Sequence, residues 1–312
     1  MQTTPLAVPA PKWSAASVEP DRQTLLAHLK ANPRRHDPNW KAAEPTVQNV
    51  LQNYPDPMRA LCEAAVPALI LRQAFAPANC QALVERLISR KLMPDPLDTA
   101  NPVQTRTRID IGTSLGFRGD DQEAFLQHAS GTFELFNSIF DGMQDPVAVM
   151  YESLRALAPG KTVMVAHEPD GRRYGPAIFR VHYDDHAYAP HFDSVRLREK
   201  RLNYAVSRFQ HQFAGVLCLQ NDATDGSSTQ SIMHRCLWSP EVQPAIAEGS
   251  FHAYAAQHDI GCCRVELNPG DLYFFNTRCI HEVPALQGNS ARIVLAVFIG
   301  YSPEDGEIFV WS

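Results

Sequence analysis

The sequence lacks several features whose absence narrows the possibilities. It has no run of about 18 apolar residues, so it offers no membrane-spanning helix. The opening stretch MQTTPLAVPAPKW has neither a basic start nor an apolar centre, so a secretory signal is not expected. No C-x-x-C pair occurs among the seven cysteines, Cys62, Cys80, Cys218, Cys236, Cys262, Cys263 and Cys279. Scattered and odd in number, they argue against a disulfide framework or a zinc finger and suit a reducing compartment. Positive charge is not in excess either: 28 Lys and Arg stand against 34 Asp and Glu, a net charge of −6. Such a chain has no general attraction to nucleic acid or to anionic membranes. No internal repeat is present. The expectation is a cytoplasmic protein with no nucleic-acid or membrane partner, and nothing here fixes an oligomeric state.

What is present is a chain of 312 residues, 45% of them hydrophobic, enough for one large core. Residues 1–20 are rich in Pro and Ala and read as a loose arm. A helical pattern begins at Asp21, with Leu25, Leu26 and Leu29 as its apolar stripe, and Pro33, Pro38 and Pro45 punctuate the next stretch. Two short helices then close an N-terminal arm and helical extension over residues 1–65. The main domain, 66–312, opens with a strand at ALILRQAF and a helix starting at Pro77. Helical stretches at 122–140 and 146–157 come next. Beyond them lie short apolar or alternating runs separated by Gly, Pro, Asp and Asn: KTVMVAH, AIFRVHY, FAGVLCLQ, CCRVELN, DLYFFN and ARIVLAVFIGY. Helices first and strands second predict an α+β fold, an antiparallel sandwich or barrel buttressed by helices.

The chemistry concentrates in RVHYDDHAYAPHFDS, residues 180–194. On an extended segment, residues two apart point the same way. His191 and Asp193 can therefore offer an imidazole nitrogen and a carboxylate oxygen to one point, while Phe192 turns into the core. A third ligand must come from elsewhere, and His281 in PGDLYFFNTRCIHEVPAL is the best candidate. Two His and one carboxylate on one face of an iron leave adjacent positions open, the arrangement of non-haem Fe(II) oxygenases. Further on lies Arg292, a guanidinium in an otherwise apolar strand, which is costly unless it meets an anion. Its planar fork matches a carboxylate, and the distal carboxylate of 2-oxoglutarate fits. Taken singly, each of these residues has an ordinary structural explanation. Their order and their placing on predicted strands carry the case.

These residues, H-F-D at 191–193, His281 and Arg292, resemble the pattern of the Fe(II)/2-oxoglutarate-dependent oxygenases, especially the prolyl-4-hydroxylase-like branch. The resemblance covers roughly residues 66–305. It implies a double-stranded β-helix (jelly roll) with iron at its mouth and with Fe(II), 2-oxoglutarate and O2 as cofactors, and it leaves room for ascorbate. It also implies that Tyr183 or Tyr188 lends a hydroxyl to 2-oxoglutarate, Tyr183 being preferred. The expected reaction is hydroxylation of an unactivated C–H bond in a small molecule, an amino acid or natural product, with release of succinate and CO2. Related halogenases carry a small residue in place of the carboxylate, so Asp193 speaks for hydroxylation. A peptidyl or protein prolyl hydroxylase, a cupin-like metal-binding protein and a non-catalytic jelly-roll module remain alternatives.

Other polar groups receive plainer readings. His182, Asp184, Asp185 and His186 are taken as a turn or part of the substrate mouth. Arg196, Arg198, Lys200 and Arg201 form a solvated loop or, failing that, a basic lid for an anionic substrate. His234, His252 and His258 have no companions at ligand spacing and are left as structural. Residues 221–249 are expected to cover the pocket or to connect strands at the surface, and of the vicinal Cys262 and Cys263 one should face in and the other out.

Overall fold

Capped helices and alternating strands account for most of the architecture. The computed structural model describes residues 22–95, 108–183, 187–221, 229–284 and 291–312. The chain begins with α1 (Arg22–Ala31), β1 (Arg35–His36), α2 (Val47–Asn53), α3 (Pro57–Cys62), β2 (Leu69–Leu71) and α4 (Pro77–Ser89). It continues through β3 (Ile109–Gly112), α5 (Leu115–Arg118), α6 (Gln122–Phe140), α7 (Pro146–Leu157) and β4 (Thr162–Val165). Then come β5 (Ile178–His182), β6 (Tyr188–His191), β7 (His211–Gln220), β8 (Thr229–Leu237), α8 (Gln243–Ala247) and α9 (Phe251–Gln257). Last are β9 (Gly261–Glu266), β10 (Leu272–Asn276), β11 (Cys279–Val283), β12 (Arg292–Tyr301) and β13 (Glu307–Trp311).

The helix starts are chemically marked. Asp121 accepts from the Ala124 N–H and Asp145 from those of Val147 and Ala148, satisfying amides that have no partner within the helix. Pro146 occupies the first turn of α7, where a missing N–H costs nothing. Val147, Met150, Tyr151, Leu154 and Leu157 then form one buried face.

The strands build a five-stranded sheet, β1-β9-β8-β11-β6, and a larger one, β2-β10-β7-β12-β13-β4, in which β5 also pairs with β12 and β3. Pairing is antiparallel except for β1 with β9 and β4 with β13. Alternation assigns each face of the larger sheet its job. Phe213, Leu217 and Leu219 of β7, with Ile293, Leu295 and Val297 of β12, join the core under α4, α6 and α7. Ala214, Val216 and Cys218, with Val294 and Ala296, turn the other way and meet Met233, Cys263 and Val265 of the smaller sheet. The space between the sheets is therefore lined by the even-numbered residues of β5, β7 and β12. At the turn before β10, Gly270 has φ +95°, and an added Cβ would run into the Phe75 carbonyl.

Several sequence expectations change. Leu26 is 49% exposed, so it does not belong to an apolar face of α1. Separately from these changes, Val50, Met58 and Leu61 of α2 and α3 lie in one core cluster with residues of β2 and β10. Residues 229–237 are neither cover nor surface connection: they form β8, an interior strand of the smaller sheet. Cys262 and Cys263 are both buried, and all seven cysteines are free thiols. The arm at residues 1–20 lies outside the described residues.

Candidate metal and co-substrate site

Strand pairing brings the separated residues of the H-x-D motif and His281 together. On β11, His281 stands opposite His191 on β6. Just past β6, the Asp193 N–H donates to the Thr277 carbonyl (3.0 Å) and the Thr277 hydroxyl donates back to the Asp193 carbonyl (2.8 Å). Phe192, between the two, turns inward and stacks on Trp238 at 4.6 Å.

One ligand atom from each of His191, Asp193 and His281 lies within 4.8 Å of the others. The two imidazole rings are 4.3 Å apart between centroids. Asp193 Oδ2 lies 3.5 Å from His281 Nε2 and 3.8 Å from His191 Nε2. Each imidazole donates Nδ1–H to a backbone carbonyl two residues earlier, His191 to Ala189 (2.7 Å) and His281 to Cys279 (2.9 Å). That fixes the tautomer and leaves the Nε2 lone pairs aimed at the shared space, as metal-binding histidines require. Burial, reinforced by His281, pushes His191 down to about 3, so it is neutral at ordinary pH. Burial works to raise Asp193, but the two neighbouring imidazoles and the Arg198 guanidinium outweigh it and hold the carboxyl well below its usual range. Two imidazole nitrogens and one carboxylate oxygen, partly open at 18% and 22% side-chain exposure for His191 and Asp193, fit a divalent metal.

Arg292 is 1% exposed and pairs across the sheet with His182. By alternation both face the space between the sheets, as Ile178 and Val294 do. Burial lowers the guanidinium to about 10, against the opposing influence of Tyr273, Cys218 and Tyr188. Tyr188 lies beside the cluster. Its ring is 5.7 Å from that of His191, its hydroxyl is 3.5 Å from His182 Nε2, and Arg108 donates to that hydroxyl. Tyr183 belongs elsewhere, in the core beneath the helices. The structure thus groups Tyr188, and not the preferred Tyr183, with Arg292 and the metal-ligand candidates. Residues 184–186 lie outside the described residues.

In the basic run after the motif, Arg196 and Lys200 are exposed, as a solvated loop would have them, while Arg198 and Arg201 are partly buried. Arg196 donates to the Phe209 carbonyl, and Arg201 binds Leu115, Gly116 and Asp120. Arg198 donates to Asp193 Oδ1 (2.9 Å) and to the Phe192 carbonyl (2.9 Å). No sequence signal distinguishes Arg198 from its basic neighbours, because the turn geometry decides which one points back.

A second His–carboxylate cluster overturns the expectation that His234 and His252 stand without companions. His234 of β8, His252 of α9 and Glu282 of β11 bring their side chains within 4.8 Å, all buried. Glu282 Oε1 accepts from His234 Nε2 (2.9 Å) and His252 Nε2 (3.2 Å), and Arg34 holds both oxygens, at 2.6 and 2.8 Å. Burial would raise Glu282, but the hydrogen bonds from Arg34, His234 and His252 keep it well below the usual carboxylate range. Here the Nε2 atoms carry protons toward the carboxylate, and Arg34 already supplies the positive charge.

A family model described as "Carrier-protein-independent halogenase WelO5" matches residues 46–312. Among solved structures, an N-substituted L-amino acid dioxygenase from Burkholderia ambifaria AMMD is 16% identical, with a TM-score of 0.52 over 82% of this chain and 90% of that one. A structure described as that type of dioxygenase in complex with alpha-KG, from the same strain, is 17% identical with a TM-score of 0.49 over 82% and 90%. No curated protein matches the sequence. Among the described residues no helix is long and apolar enough to cross a membrane. The match supports the Fe(II)/2-oxoglutarate oxygenase superfamily and does not single out the prolyl-4-hydroxylase-like branch.

Proposed function

The chain belongs to that halogenase family, and from this membership we propose that it is an Fe(II)- and 2-oxoglutarate-dependent oxygenase that hydroxylates an unactivated C–H bond of a free small molecule. His191, Asp193 and His281 hold the iron. The sheet orders β5-β12-β7-β10 and β6-β11-β8-β9 support a double-stranded β-helix, two four-stranded sheets enclosing the site. The bound metal, with 2-oxoglutarate and O2, supplies the oxidising power for C–H cleavage, and succinate and CO2 are by-products.

The protein's own contribution is binding, orientation and charge. Arg292 meets the far carboxylate of 2-oxoglutarate, since a guanidinium buried between two sheets is best matched by a planar anion with two oxygens. Tyr188 completes that pocket with its hydroxyl, which Arg108 orients. The hydrogen bonds from Nδ1 keep both imidazoles facing the metal.

The single observation that favours hydroxylation within a halogenase family is Asp193 itself. Its ionised carboxylate already faces the two imidazole nitrogens, where a halogenase needs a vacancy for halide. The family's description as carrier-protein-independent supports an untethered substrate, and an amino acid or natural product is the class we favour. The test is anaerobic addition of Fe(II) and 2-oxoglutarate, followed by aerobic turnover with chloride or bromide present. A weak visible charge-transfer band, absent in His281→Ala, and a product that has gained oxygen are expected. Halogen in the product of the wild-type enzyme would overturn the hydroxylase reading, and no band in the folded protein would overturn the whole assignment.

A further inference from the structure

We propose that Arg198 is a positioning residue that makes Asp193 a one-oxygen ligand and so keeps the O2 position open. The inference rests on the metal site proposed above and adds a role to a residue outside the ligand set.

The two carboxylate oxygens of Asp193 are chemically equivalent until something distinguishes them. Oδ1 accepts from Arg198 Nη1 at 2.9 Å. Oδ2 is the oxygen facing His281 Nε2 and His191 Nε2, at 3.5 and 3.8 Å. The same Nη1 donates to the Phe192 carbonyl at 2.9 Å, so the guanidinium is tied to the backbone immediately before the ligand. Arg198 is in turn presented by a tight turn, in which its N–H donates to the Ser194 carbonyl (3.1 Å) and the Leu197 N–H donates to the Ser194 hydroxyl (3.0 Å). With the Asp193 backbone clamped to Thr277, rotation of the carboxylate is the freedom left, and Arg198 removes it.

That freedom matters because coordination positions are few. A six-coordinate metal with three protein ligands has about three places left, and a chelating keto acid takes two of them. A carboxylate that closed onto the metal through both oxygens would take the last, and O2 would have to displace it. A charge-assisted bond to Oδ1 opposes that closure, because the oxygen would exchange a short bond to a guanidinium for the metal. A neighbouring partner that orients a ligand typically changes metal affinity or activity by about 10- to 100-fold when lost.

The test compares wild type, Arg198→Ala, Arg198→Met and Arg198→Lys, each loaded with Co(II) in place of Fe(II). The Co(II) visible spectrum reports the ligand set without turnover. Arg198→Ala and Arg198→Met should change it before 2-oxoglutarate is added, and Arg198→Lys should restore it in part. With iron, the KM for O2 should rise about ten-fold in Arg198→Ala while the KM for 2-oxoglutarate moves far less. A merely structural tether to Phe192 would lower thermal stability and leave both the spectrum and the split between the two KM values untouched. Unchanged spectra in a folded Arg198→Ala or Arg198→Met would overturn the role of Arg198 alone. A wild-type Co(II) spectrum that is unaffected by His281→Ala would overturn the metal site, and this proposal with it.

Discussion

Residues 281 and 282 are neighbours on β11, yet each joins a histidine–carboxylate cluster of a different kind. Both clusters contain two imidazoles and one carboxylate at similar spacing. Around His281, the imidazole Nδ1–H groups are bound to backbone carbonyls, so the Nε2 lone pairs meet an open carboxylate oxygen. Around Glu282, the Nε2–H groups point at the carboxylate, His252 Nδ1 has no hydrogen-bond partner among the described residues, and Arg34 grips both oxygens. The first cluster keeps two imidazole acceptors and one carboxylate oxygen aimed at a shared space. The second is a closed network whose carboxylate is already matched by donors and by a cation. Ligand composition alone does not make a metal site, because the tautomers and the charge balance decide it.

The largest expected effects separate the two by signature. His281→Ala should reduce metal-dependent turnover to the background of the metal-free protein while costing only about 1–2 kcal/mol of stability. Glu282→Ala should do the reverse at the level of the fold. It strands the Arg34 guanidinium beside two imidazoles in a buried space, and breaking such a pair costs about 3–5 kcal/mol, toward the lower end because Arg34 keeps some exposure. Urea denaturation of the two variants measures both. Equal destabilisation would erase the distinction.

Metal stoichiometry sharpens it. Wild-type protein should bind one equivalent of Co(II) or Zn(II), His234→Ala should still bind one, and Asp193→Ala with His281→Ala should bind none. Arg34→Ala should cost about 2 kcal/mol, less than Glu282→Ala because the stranded carboxylate keeps the N–H donors of His234 and His252. Arg34 lies upstream of the family-matched residues 46–312, so the start of the chain supplies the charge that settles a network in the middle of the domain.

Acid should expose the second cluster. Glu282 is held below its ordinary pKa in the folded state, so the unfolded chain binds the extra proton. Its stabilisation is complete above about 4.5, the value of the unfolded group, and is lost as pH falls through the folded value. His191, pushed down to about 3, adds in the same direction in the metal-free protein: the unfolded state takes up its proton from about 6.5 downward, and stability falls with it. Denaturation midpoints between pH 7 and pH 3 should therefore fall steeply in wild type and less steeply in Glu282→Gln, which has no carboxylate left to protonate.

The two clusters also differ in how far the sequence discloses them. His191 and Asp193 share a face through simple alternation, and His281 and Arg292 sit on strands marked by apolar runs. That much is legible, as are the helices at 122–140 and 146–157. His234, His252 and Glu282 come from a strand, a helix and another strand, and Arg34 comes from the extension. No spacing rule links them. β8 escapes for the same reason: Gln230, Ser231 and His234 are polar yet buried, so the apolar pattern that marks a strand is interrupted. Arg198 is hidden among four basic residues, and only the turn at Ser194 selects it.

The tyrosines give the smallest test, since the resemblance names Tyr183 and Tyr188 alike and packing separates them. Alternation along β5 puts Ile178, Arg180 and His182 on the face shared with Arg292, and Phe179 and Val181 on the other, where Tyr183 also packs. Tyr188 enters from β6 beside His191. If its hydroxyl meets the co-substrate, Tyr188→Phe removes one hydrogen bond worth about 1 kcal/mol, which raises the KM for 2-oxoglutarate by roughly five-fold. Tyr183→Phe should leave that KM unchanged, because its ring stays in the helix-side core and keeps its packing. An increase in Tyr183→Phe with none in Tyr188→Phe would mean that 2-oxoglutarate lies on the other side of the larger sheet, away from Arg292.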